Sequence, residues 1–70
     1  MGNEYENQEF RNAAFAAGVS GRDWTGKEAI KHCSKAFHYK FSRFERQTMS
    51  FEEMVEWAAD WWADNSHKYY

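Results

Sequence analysis

Cys33, three histidines and scattered carboxylates are the side chains of this sequence whose chemistry could go beyond packing. A metal site needs about three or four convergent ligands, and the candidates are Glu28, His32, Cys33, His38 and His67. His32 and Cys33 are neighbours, so on a helix they point about 100° apart. Glu28 and His32 share a face but make only two ligands. Neither a metal nor any other cofactor is expected. Ser34 and His38 stand at helical spacing, as a nucleophile and its base would. No third residue orients the imidazole, however, and no oxyanion pocket or glycine-rich phosphate loop is suggested. The chain is not expected to be an enzyme.

Two other constellations suit recognition. Lys27, Lys31, Lys35, His38, Arg43 and Arg46 fall on one side of a helix, with His32 and Tyr39 at its edge. Such a face could track phosphates while Tyr39 or His38 stacks on a base. Its simpler role is a solvated face whose Lys stems cover aromatic rings. Further on, Phe51 to Asp64 holds five acids and no base. If Phe51, Val55, Ala58 and Trp62 turn to the core, Trp57 and Trp61 lie one turn apart on a shoulder beside Glu53, Asp60 and Asp64. Large aromatics next to charges are enriched at binding hot spots. A partner with an apolar pocket rimmed by Lys or Arg would fit them. The alternative is that both indoles fill the core of a chain that has no Leu.

These residues must be positioned by helices. β-Branched residues are scarce, no convincing strand alternation appears, and Ala, Glu, Lys and Arg are abundant, which predicts an all-α fold. Three helices are expected, over about 4–17, 26–46 and 51–64, as a small three-helix bundle forming one domain, with a linker over Val19 to Trp24 and a frayed tail over 65–70. The first begins near Glu4, Glu6 and Glu9 and stops at Gly18. Its coherent face is Phe10, Ala13, Ala14 and Ala17; Phe15 points elsewhere, toward Trp24 or a partner. Thr25–Glu28 and Ser50–Glu53 both fit a capping box. On the second helix Ile30, Cys33, Phe37, Phe41 and Phe44 form a narrow apolar seam. The second and third helices are expected to pack antiparallel, with their opposite charges side by side.

Composition narrows the function further. The 70 residues carry 9 Lys+Arg against 11 Asp+Glu, for a net charge of −2. The apolar set is six Phe, four Trp, four Tyr and nine Ala with one Ile and two Val, so the core must be aromatic rings against Ala. A helix-turn-helix reading would place the acidic third helix in a groove, where phosphates repel it. A membrane surface would likewise repel that helix, and the longest apolar run is only Ala13 to Ala17. One Cys cannot make an internal disulfide, and no signal-peptide pattern is present; a cytoplasmic setting is expected. The expected function is that of a stand-alone protein-interaction module that inhibits or modulates a larger protein or complex. Phage and mobile-element proteins acting against host enzymes or defence systems have this make-up, and for them the setting is the host cytoplasm. Nucleic-acid binding through the basic face and a homo-oligomeric structural role, with a homodimer as its simplest form, are the alternatives.

Overall fold

The structure is a computed structural model that describes residues 8–20 and 27–69. Four α-helices follow one another: α1 (Gln8–Ala16), α2 (Lys27–Lys40), α3 (Arg43–Thr48) and α4 (Phe51–Asn65), and a 3-10 turn over Ser66–Tyr69 closes the described chain. No strand occurs among the described residues, so the all-α bundle stands. The start expected near Glu4, the Thr25 end of the first capping box and Trp24 lie outside the described residues.

The stop of α1 follows from one glycine. Gly18 has φ +91°, in the left-handed region that L side chains avoid. That turn lets the Gly18 N–H donate to the Phe15 carbonyl (3.0 Å) and the Val19 N–H to the Ala14 carbonyl (3.1 Å), which is the Schellman arrangement. Val19 and Ala14 are both buried, giving the apolar contact that accompanies this motif.

The helix expected over 26–46 is not continuous. It breaks at Phe41 and Ser42, and α3 begins anew with Ser42 as its N-cap. Ser42 Oγ accepts from the Glu45 N–H (3.2 Å), and Glu45 Oε1 accepts from the Ser42 N–H (2.8 Å). Two backbone donors are satisfied reciprocally, so a restart here costs the chain little. Arg46 then reaches back and its Nη1 donates to the carbonyls of His38 (2.9 Å) and Phe41 (2.8 Å). These belong to the last turn of α2 and the residue after it, where carbonyls lack helical partners and a cation is favoured. The expected box at Ser50 is present: Ser50 Oγ accepts from the Glu53 N–H (3.1 Å) and Glu53 Oε1 from the Ser50 N–H (3.0 Å).

The core is made of Phe10, Ala13 and Ala14 of α1, Val19 just after it, Ala29, Ile30, Cys33 and Phe37 of α2, and Met54 and Ala58 of α4. Phe10 stacks on Phe37 with centroids 4.1 Å apart and planes 14° from parallel, a close approach that the alanines of α1 permit. The helices do not touch equally. α1 packs chiefly on α4 and less on α2, while α2 and α4 meet least. The basic and acidic helices expected side by side do touch, through Phe37 and Trp57 with ring centroids 5.5 Å apart, but each packs more extensively on α1.

The seam of α2 is seen in Ile30, Cys33 and Phe37, with Phe41 partly buried. Phe44 leaves it. Beyond the break its ring is 74% exposed, and α3 buries none of its side chains.

Residues 66–69, expected as a frayed tail, fold back instead. The Tyr69 ring lies 5.7 Å from both Trp62 and His32, and His32 Nδ1 is 2.8 Å from Tyr69 Oη. The end of the described chain is thereby tied to α2.

Candidate interaction surface

The acidic helix and its indoles are the first candidate. Glu52, Glu53, Glu56, Asp60 and Asp64 are all exposed. Met54 and Ala58 point the opposite side of α4 into the core, which forces the carboxylates outward by helical geometry. Glu53 has a second task as the capping carboxylate, and its hydrogen bonds from the Ser50 backbone and side chain hold its pKa below the ordinary carboxylate value. Glu52, Glu56, Asp60 and Asp64 form no ion pair among the described residues.

The two tryptophans part company. Trp57 enters the aromatic cluster: its ring lies 6.0 Å from Phe10, 5.5 Å edge-on from Phe37 and 5.9 Å edge-on from Phe41. Trp61 stacks on Trp62 at 6.4 Å, and Tyr69 lies 6.2 Å away. Both indoles are partly buried, yet they belong to different groups rather than to one displayed pair. The reason is where the neighbours lie: α1 and the end of α2 take the Trp57 flank, while Trp61 meets Trp62 and the Tyr69 ring of the closing turn.

The basic face is also divided. Lys27, Lys31 and Lys35 are exposed at four-residue intervals along α2, and Arg43 is exposed on α3. His38 is partly buried, with its ring 5.5 Å edge-on from Tyr39. Arg46 is spent on the α2 carbonyls, so the continuous six-residue face expected from a single helix over 26–46 does not form.

Ser34 and Cys33 are buried. Ser34 is 4% exposed and its Oγ has no hydrogen-bond partner among the described residues. Cys33 is fully buried, and burial pushes its thiol pKa up to about 12. A neutral buried thiol is a poor nucleophile and a poor ligand. Among the described residues no three of His, Cys, Asp and Glu converge on a point, and no helix there is long and apolar enough to cross a membrane.

The Phe15 side of α1, expected to face Trp24 or a partner, forms a further surface. Phe15, 65% exposed, lines a cleft of about 340 Å³ between α1 and α2 together with Gln8, Arg11, Asn12, Lys27 and Ile30. The i, i+4 spacing of Arg11 and Phe15 was visible along the sequence. That Lys27 comes across to them depends on how α1 and α2 cross.

No family model matches the chain, and neither a curated protein nor a solved structure is significantly similar to it.

Proposed function

We propose that this chain is a small helical protein-interaction module that binds and modulates a larger protein through the acidic side of α4. The observation carrying this reading is that Glu56, Asp60 and Asp64 are exposed and form no ion pair among the described residues, on the same helix as the half-buried Trp61. Carboxylates in that position steer a cationic partner during encounter, and the indole supplies apolar contact area once it has arrived. Trp57 supports the fold beneath them.

Affinity capture from cells with the purified chain, at low and at physiological salt, tests the reading. A partner held by the parent chain should be lost with Trp61→Ala, at a cost of about 2 kcal/mol of binding, and should associate more slowly with Asp60→Lys. Trp57→Ala should instead unfold the chain. If Trp61→Ala and Asp60→Lys retain the same partner as strongly as the parent, α4 is not the binding surface.

Nucleic acid is the second reading, favoured by Lys27, Lys31 and Lys35 in register on α2. Generic DNA or RNA binding at low salt, weakened and made less salt-dependent by replacing Lys31 and Lys35 with Ala, would establish it. The expected outcome is no measurable binding by the parent chain.

A further inference from the structure

Trp61 and Trp62 are half-buried, and the last turn described helps to cover them. Tyr69 folds back so that its ring lies 6.2 Å from Trp61 and 5.7 Å from Trp62, tilted 45° and 36° to their planes. The two indoles are themselves 6.4 Å apart and 22° from parallel, so a single phenol ring reaches both. The turn that delivers it is held lightly. None of Ser66–Tyr69 is fully buried. Lys68 Nζ donates to Asn65 Oδ1 (2.9 Å) and Asn65 Nδ2 donates to the Trp61 carbonyl (2.8 Å), which fasten the root of the turn to the end of α4. Its far end is tied to α2 through exposed His32, by the 2.8 Å bond between Tyr69 Oη and His32 Nδ1 and by rings 5.7 Å apart. Burial and then the charge of Glu28 raise the pKa of the Tyr69 phenol, so its hydroxyl keeps its proton at neutral pH. An element with few buried contacts and solvent-exposed ties opens locally, at a lower cost than unfolding the domain.

We propose that Ser66–Tyr69 is an autoinhibitory strap: closed, Tyr69 occupies apolar surface of Trp61 and Trp62; open, both indoles are offered on the helix that carries Asp60 and Asp64. This rests on the reading of α4 as the binding surface and adds its control. Tyr69 stands in for the apolar group of a partner, which must displace it. With the strap open in about 1 to 10% of molecules, the apparent affinity for such a partner is reduced by that fraction, and a partner that holds the open form draws the population toward it. A partner that offers only positive charge gains nothing from the opening, whereas one that joins cations to an apolar group does.

Fluorine resonances of the full chain carrying fluorotryptophan test this, with the signals of its four tryptophans assigned by replacing Trp24, Trp61 and Trp62 singly with Phe. The shift of each signal on exchanging water for heavy water reports the solvent contact of that indole. Tyr69→Ala should enlarge this shift for Trp61 and Trp62 and leave that of Trp57 as it is, with helical dichroism at the parent level. Should Tyr69→Ala lose its helicity, His32→Ala replaces it and should enlarge the same two shifts by a smaller amount. On warming the parent chain, the Trp61 and Trp62 signals should move toward their open positions before the Trp57 signal moves. Trp61 and Trp62 shifts that stay at the parent value in the folded variant overturn the proposal, because Tyr69 then covers neither ring. So does warming in which all three signals move together, because the turn then opens only with the whole domain. No partner enters these measurements, so they are separate from the capture experiment: indoles uncovered by Tyr69→Ala in a chain whose partner ignores Trp61→Ala and Asp60→Lys would keep the strap and end the reading of α4.

Discussion

At the scale of single residues, the fully buried ring of Phe37 joins α1, α2 and α4. It stacks on Phe10, meets Trp57 edge-on and contacts Phe41. Phe37→Ala should cost about 3 to 5 kcal/mol, enough to unfold a domain of this size, whereas Phe44→Ala should change stability by less than about 0.5 kcal/mol. Thermal melts of the two variants check the contrast, and equal losses would mean that Phe44 is also packed. Cys33 gives a second residue-level expectation. Its thiol pKa is raised by burial from 9.0 to about 12, so the folded state holds the proton more tightly than the unfolded one. The resulting stability is fully present below pH 9 and declines as the pH rises toward 12. Cys33→Ala should therefore lose less stability than the parent between neutral pH and pH 11, and alkylation of the native chain by a thiol reagent at pH 8 should be slow and governed by unfolding.

At the scale of elements, capping decides where helices begin and end. Glu45 and Glu53 both have pKa values lowered from the ordinary 4.5, chiefly by the hydrogen bond from the N-cap backbone of Ser42 and Ser50 respectively. A depressed carboxylate stabilises above its unfolded pKa and loses that contribution as the pH falls through its folded value. The protection of the α3 amides against exchange, taken relative to the unstructured rate at each pH, should consequently fall before that of α2 on acidification from pH 5 to about pH 3, because α3 has no buried residue. Ser42→Ala should cost about 1 kcal/mol and produce the same local opening at neutral pH; an α3 as protected as before would show that its cap is dispensable. The Ser50 box, the Gly18 stop and the Ile30, Cys33 and Phe37 seam were legible in the sequence because each rests on contacts within a few residues. The Ser42 box had the same spelling, Ser-Arg-Phe-Glu, but Phe41 and Phe44 continued the apolar period across it and made one long helix the simpler reading. The period could not show that the chain breaks there, because helical spacing persists in the sequence whether or not the backbone follows it. Nor could it place Trp57. An apolar arc as wide as that of α4 states that two flanks are available, and only the crossing of α1 determines which flank is covered.

At the scale of the whole molecule, net charge and its distribution carry different information. A formal charge of −2 describes a nearly neutral chain, while the arrangement puts the exposed lysines on α2 and the exposed carboxylates on α4, two helices that meet through aromatic rings. The aromatic-on-alanine core inferred from composition is present, with Phe10, Phe37 and Met54 as its largest fully buried side chains. The end of the described chain contributes as well: Tyr69→Phe should remove the bond to His32 while keeping the ring on Trp61 and Trp62, and a melting point close to that of the parent would assign the turn's role to packing. The preference of α1 for α4 also has a bearing on synthesis. Phe10, Ala13 and Ala14 are made before the helix they pack against most extensively, which is the last of the four described. Throughout translation the growing chain must therefore keep its phenylalanines from neighbouring nascent chains without a completed interior to hold them. The native contacts of α1 with α4 can close only after α4 has emerged.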